Sequence, residues 1–164
     1  MKKLYVVRHA KSSWDFPGLT DFQRPLNQRG EKDAPRMGKR LQNEKVNPGL
    51  ICSSPAVRAL STAKVIAGAL GYPAGTIQEE RTLYHASEET ILEVIQRFRA
   101  DVQEAMIVGH NPGLTDFVNA LLDEDISNIP TTGVVACILQ VDAWADAAWG
   151  CGKLLFFDYP KKGH

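Results

Sequence analysis

A chain of 164 residues, 44% hydrophobic and 23% charged, has the size and composition of an ordinary soluble globular domain able to bury one core, and one domain spanning residues 1–164 is expected. Nineteen Lys and Arg balance nineteen Asp and Glu, so no net field favours nucleic acid or a membrane surface, and a bound anion must be held by a local cluster of charge. The apolar run after Met1-Lys2-Lys3 is too short for a signal peptide, no later run approaches membrane-spanning length, and Cys52, Cys137 and Cys151 lack CxxC spacing; a reducing cytoplasm is the expected setting, with neither a disulfide framework nor a cysteine zinc site.

The first element, Leu4–Val7, is a continuous apolar run, the pattern of a central strand buried on both faces. A helix is expected to start or bend near Ala34-Pro35, with Met37 and Leu41 on its inner face. A strand at Leu50–Cys52 leads into a helix from Pro55 whose stripe is Leu60, Ala63, Ala67 and Leu70, with Gly71 as its stop. After a short strand near Ile77, Ser87 caps a third helix, with Glu88 and Glu89 in its first turn and Ile91, Val94, Ile95 and Phe98 facing inward. A strand at Met106–Val108 precedes a fourth helix from Pro112 that buries Leu114, Phe117, Val118 and Leu121. The strands Val134–Val141 and Leu154–Tyr159 follow without a long helix between them, so an antiparallel pair is expected at one edge. Trp144 and Trp149 are expected to pack there, and Lys161-Lys162-Gly163-His164 to form a solvated tail. The alternation predicts an α/β fold, a three-layer α/β/α sandwich around a mixed, mostly parallel sheet.

In such sheets the ligand crevice lies beyond the carboxyl ends of the strands. Three of those ends carry Arg8-His9-Ala10-Lys11-Ser12, Cys52-Ser53-Ser54-Pro55-Ala56-Val57-Arg58, and Gly109-His110-Asn111-Pro112-Gly113. Ser54-Pro55 and Asn111-Pro112 each read as an N-cap followed by proline at the first helical position, so each helix start offers free N–H groups and positive potential. With Arg8, His9, Arg58 and His110 the crevice holds two guanidinium and two imidazole groups, and no comparable set of carboxylates to bind a metal. Such a pocket suits a phosphate dianion. The two arginines disfavour a further positive charge, which keeps His9 neutral and able to attack phosphorus; water then hydrolyses the phosphohistidine. His85 and His164, outside these strand ends, are read as structural.

The segment Val6-Val7-Arg8-His9-Ala10-Lys11-Ser12 resembles the RHG signature of the histidine phosphatase superfamily, also called phosphoglycerate mutase-like. Pro25–Gly30, Ser53–Ala59 and Val108–Pro112 resemble its later blocks in the same order. Asp21–Asn27 and Asp33–Gly38 look like the short SixA-type phosphohistidine phosphatase branch. The resemblance implies a phosphoglycerate mutase-like fold, His9 as the phosphorylated residue, Arg8, Arg58 and His110 completing the pocket, no cofactor, and Ser12 touching phosphate. It also implies a phosphoprotein partner, such as a histidine phosphotransfer domain or a phosphocarrier protein. Ala10 replaces the glycine of RHG. The larger relatives place an acidic proton donor where Glu79 and Glu80 lie, but no motif singles out either residue. Without a donor, a phosphohistidine substrate is favoured over alkyl and sugar phosphates, because imidazole leaves more readily than an alkoxide.

Four alternatives compete. Cys52 and Arg58 have the C-x5-R spacing of cysteine-dependent phosphatases, although Pro55 removes a loop N–H and the loop has no glycine. A small phosphomonoesterase or mutase acting on sugar phosphates, a non-catalytic phosphoprotein-binding module, and a metal held by His9 and His110 complete the set; adjacent arginines oppose the metal.

Overall fold

The computed structural model describes residues 1–163; His164 lies outside the described residues. Its strands are β1 (Lys2–Arg8), β2 (Leu50–Ser53), β3 (Gln78–Glu79), β4 (Glu104–Gly109), β5 (Val134–Leu139) and β6 (Gly152–Asp158). They form one sheet in the order β3-β2-β4-β1-β5-β6. The neighbours from β3 to β1 run parallel, whereas β5 is antiparallel to both β1 and β6. The expected antiparallel edge is therefore present, and the sheet is mixed.

Period-two alternation within the apolar strands assigns the two faces. Leu4 and Val6 of β1, Ala105 and Ile107 of β4, and Val135 and Cys137 of β5 join a core with α3 (Glu88–Gln96) and α4 (Gly113–Leu122). Tyr5 and Val7, Met106 and Val108, and Val134 and Ala136 join a second core with α1 (Gln28–Asn43) and α2 (Val57–Leu70). The sandwich thus has three layers. No helix among the described residues is long and apolar enough to cross a membrane.

The helix starts depart from the sequence reading, each for a local reason. Helix α1 begins at Gln28, well before Ala34, because the Asn27 side chain caps it by accepting the Gly30 N–H at 2.9 Å. Pro35 stays inside this helix on its exposed side, where water can satisfy the carbonyl that proline leaves without an N–H partner. Helix α2 starts at Val57, so neither Ser54 nor Pro55 holds its expected position; Ser54 Oγ accepts the Ala56 N–H at 3.2 Å within the preceding turn. In α4 the cap position belongs to Pro112, and Asn111 Oδ1 reaches past it to accept the Thr115 N–H at 3.1 Å. Ser87 does cap α3, through the Thr90 N–H. Gly71 ends α2 in the left-handed conformation, as expected. Phe98 is buried but lies beyond the end of α3.

The remaining expectations divide. Strand β3 occupies Gln78–Glu79 beside Ile77, and β5 ends at Leu139, short of Val141. Trp144 is fully buried and donates its indole N–H to the Val102 carbonyl at 2.8 Å, whereas Trp149 is 43% exposed. The tail is solvated but not loose through Lys162, which donates to the Phe157 and Tyr159 carbonyls.

Candidate active site

The tips of β1, β2 and β4 meet on one side of the sheet, and hydrogen bonds between the departing loops lock them together. His9 N–H donates to the Gly109 carbonyl at 3.1 Å, and Ser54 N–H to the Val108 carbonyl at 2.9 Å. Ala10 N–H donates to Thr62 Oγ1, whose hydroxyl donates back to the Arg58 carbonyl, tying the β1 loop to α2. Thr132 N–H bridges the Arg8 and His9 carbonyls. Arg8, His9, Ser12 and Arg58 line a cavity of about 190 Å³ together with Lys11, Trp14, Arg24 and Thr131.

The His9 ring is buried, and its Nδ1 lies 2.7 Å from the Ala10 carbonyl oxygen. A carbonyl only accepts, so Nδ1 carries the proton and Nε2 keeps its lone pair. Burial first, then the charges of Arg58, Arg8 and Arg24, push the His9 pKa down to about 4 against the pull of the Ala10 carbonyl. Sequence reasoning named the arginines; the larger cause is desolvation.

His110 stands beside His9, with ring centroids 5.2 Å apart. Its Nε2 lies 2.8 Å from Ser54 Oγ, while Nδ1 is buried without a partner among the described residues. Burial, then His9, Arg58 and His85, lower its pKa to about 3, although Asp21 opposes them. Arg8 donates through Nη1 to the Ile129 carbonyl at 2.9 Å; its Nε is buried and unpartnered, and burial lowers its pKa.

Four features were not read from the sequence. Arg24 reaches into the cavity lining, donating to Ser12 Oγ at 2.5 Å and to the Ser13 carbonyl at 3.0 Å, with its guanidinium 3.3 Å from the Trp14 ring centroid. Asp21, in the short 3-10 turn Asp21–Gln23, stands behind the cavity lining and accepts from Arg58, Arg24 and Tyr84. Tyr84 lies edge-on to the His110 ring at 5.4 Å. His85, read from the sequence as structural, is largely exposed, with Nε2 3.2 Å from Asp21 Oδ2 and its ring 5.8 Å from that of His110. Asp21 and Arg24 belong to the stretch Asp21–Asn27 that resembles the SixA-type branch, but that run has no helix or strand periodicity to say which way either side chain faces.

Neither Glu79 nor Glu80 lines this cavity, and Glu80 accepts the Thr82 hydroxyl at 2.8 Å. Cys52 faces the α3/α4 core, and burial, reinforced by Glu80, pushes its thiol up to about 12, so it is not the thiolate that a C-x5-R mechanism needs. Among the described residues no group of three or more His, Cys, Asp or Glu side chains is placed to hold a metal ion.

Residues 4–105 match the family profile described as histidine phosphatase superfamily (branch 1). The chain belongs to that superfamily. Membership supports phosphatase chemistry, hence a hydrolase. An uncharacterized protein of Mycobacterium tuberculosis is 32% identical over 165 residues, covering 94% of this chain and all of its own length. A crystal structure from Agrobacterium tumefaciens bearing the SixA phosphohistidine phosphatase name superposes with a TM-score of 0.82 at 30% identity, covering 97% of this histidine phosphatase family member and 98% of that chain. A structure of the protein histidine phosphatase SixA complexed with tungstate shares the fold, with a TM-score of 0.81 at 19% identity over 96% of this chain and 97% of that one.

Proposed function

We propose that this chain is a phosphohistidine phosphatase that acts on phosphorylated proteins through a covalent intermediate on His9. The observation that carries the reading is the Nδ1 contact with the Ala10 carbonyl, which leaves Nε2 as a neutral nucleophile in a cavity lined by arginines. Nε2 attacks the phosphorus of a phosphohistidine that carries a proton on its other ring nitrogen. The substrate's P–N bond breaks and its electron pair leaves with that ring, which departs as neutral imidazole, while the new P–Nε2 bond forms on a His9 ring that keeps its Nδ1 proton. Water then attacks the phosphorus, the P–Nε2 bond breaks, and inorganic phosphate departs with His9 restored.

Arg8 and Arg58 hold the non-bridging oxygens, where charge spreads in a loose transition state, and His110 adds a further hydrogen-bonding nitrogen. Ser12 borders the phosphate and keeps Arg24 in place. No cofactor enters these steps. Support for an N–P substrate comes from the cavity lining, which contains no carboxylic acid to protonate an alkoxide. The partner that fits this chemistry is a phosphohistidine protein, such as a histidine phosphotransfer domain or a phosphocarrier.

The test is a side-by-side assay on a histidine-phosphorylated phosphocarrier protein and a panel of sugar and other phosphomonoesters, with acid-quench trapping of labelled enzyme. The protein substrate is expected to be preferred, label to appear on residue 9, and His9→Ala to abolish both label and turnover. A preference for sugar phosphates would reassign the substrate to small molecules, and label on another residue would remove the mechanism. Binding without any turnover would leave a phosphoprotein reader.

A further inference from the structure

Asp21 is absent from the cavity lining, and its side chain is 40% exposed, yet donors converge on it from three segments of the chain. Arg58 Nη2 donates to Oδ2 at 2.9 Å, and Arg58 Nη1 donates to the main-chain carbonyl of the same residue at 2.6 Å. Arg24 Nη1 donates to Oδ1 at 2.9 Å. From the loop after β3, the Tyr84 hydroxyl donates to Oδ2 at 2.6 Å, and His85 Nε2 stands 3.2 Å away.

We infer that Asp21 is the positioning residue of the phosphate pocket, setting Arg58 and Arg24 in their phosphate-holding orientation before substrate arrives. The inference rests on the function proposed above. Three arguments support it.

The first concerns burial. The Arg58 side chain is only 5% exposed, and a guanidinium taken out of water needs a counter-ion. Asp21 supplies one, and it engages both ends of the fork, which fixes the plane of the group as well as its position. The remaining N–H groups are left to the cavity that Arg58 lines.

The second concerns repulsion. Arg8, Lys11, Arg24 and Arg58 all border one small cavity. Left alone, such cations would swing apart toward water. A single carboxylate outside the lining, bonded to two of them, holds those two together and leaves the cavity side positive.

The third is that Asp21 is itself held. Burial raises its pKa, but Tyr84, Arg24 and Arg58 outweigh that effect and keep the carboxyl ionised far below the usual range. Phe22 lies edge-on to Tyr84 with centroids 5.1 Å apart, fixing the two loops that carry the pair. A carboxylate fixed in this way acts as a preorganised part of the site, with no reorganisation to supply at the moment of reaction.

The experiment compares wild type, Asp21→Asn, Asp21→Ala and Tyr84→Phe. It measures kcat and KM on a histidine-phosphorylated phosphocarrier protein, the inhibition constant of inorganic phosphate, and the fraction of sites that take label. Asp21→Ala is expected to raise KM and the phosphate inhibition constant at least about tenfold per labelled site. Asp21→Asn, which keeps an acceptor without the charge, falls between wild type and Ala and carries the test if Ala fails to fold. Tyr84→Phe shifts the same constants in the same direction by less, and in a fifth protein, the double variant Asp21→Ala/Tyr84→Phe, it adds nothing to the effect of Asp21→Ala alone.

Two results overturn the inference. If only the labelled fraction and thermal stability fall while per-site constants hold, Asp21 is merely structural. If phosphate binds more tightly to Asp21→Ala, the carboxylate competes with phosphate instead of preparing its site. A wild-type enzyme that never takes label on His9 instead removes the parent reading, while phosphate binding measured by calorimetry still reports on Asp21.

Discussion

The Ser54 hydroxyl lies 2.8 Å from His110 Nε2, and this contact joins the loops that leave β2 and β4. Both residues are buried, and Ser54 Oγ also accepts the Ala56 N–H, so the hydroxyl is held from its own loop while it holds the imidazole. Through Ser54, the turn before α2 fixes the ring of a residue from another strand.

Ser54→Ala is therefore expected to lower kcat/KM about tenfold, and to cost about 1–3 kcal/mol of stability because Nε2 is left buried without a partner. Steady-state kinetics and urea unfolding check the two parts separately. Unchanged kinetics would show that His110 does not depend on Ser54 for its orientation.

Acid should destabilise the fold before its carboxylates titrate. Burial and neighbouring charge place the pKa of His9 at about 4 and that of His110 at about 3, both below the unfolded value of about 6.5. Between those limits the unfolded chain binds more protons than the folded one. Stability is thus complete above about pH 6.5 and is lost as pH falls toward the folded values, by up to about 1.4 kcal/mol per unit for each imidazole. Asp21 has the same sign, but its contribution is lost only below about pH 4, where its unfolded carboxyl takes up protons. Urea unfolding at pH 7, 6 and 5 should show a decline that is shallower in His110→Ala. A flat wild-type profile would contradict the assigned burial of the two rings.

Which parts of this site could be read in advance follows from how each is encoded. Leu4–Val7 is apolar throughout, so its burial on both faces was legible, and Arg8 and His9 at its tip were placed with it. Arg58 was legible because it falls in the first turn of the helix that follows β2, and His110 because it lies between β4 and α4. Asp21, Arg24, Trp14 and Tyr84 lie on irregular segments, where no periodicity says which way a side chain faces; their grouping exists only after the loops fold. The α1 start was missed for a related reason. Pro35 is the louder local signal, but Asn27 has the acceptor that closes the first turn, and exposure makes the proline tolerable.

Gly30 supports the site from a distance. A Cβ built there would overlap the main-chain carbonyl oxygen of Lys11, in the loop that carries His9. Backbone cannot move aside as a side-chain tip can, so either α1 or the His9 loop must shift. Gly30→Ala is expected to cost more than about 1–3 kcal/mol, the usual range for overpacking, and to lower kcat at least about tenfold in the folded fraction. Gly18→Ala, with nothing near its Cβ position, is the matched control and should behave as wild type in the same assays.

Cys52 offers the sharpest separation between the two covalent mechanisms that its spacing to Arg58 brings into competition. The thiol is buried among apolar side chains of the α3/α4 core and its pKa is raised to about 12, so at neutral pH the nucleophilic form is scarce. Cys52→Ser places a hydroxyl in that apolar setting, at an expected cost of about 1–3 kcal/mol. The His9 loop is anchored elsewhere, through Gly109 and Thr62, so kcat/KM of the folded enzyme should stay within about twofold of wild type. Parallel assays of Cys52→Ser and His9→Ala decide the matter. Turnover surviving in the first and vanishing in the second assigns the chemistry to the imidazole, and the opposite pattern assigns it to the thiol despite its burial.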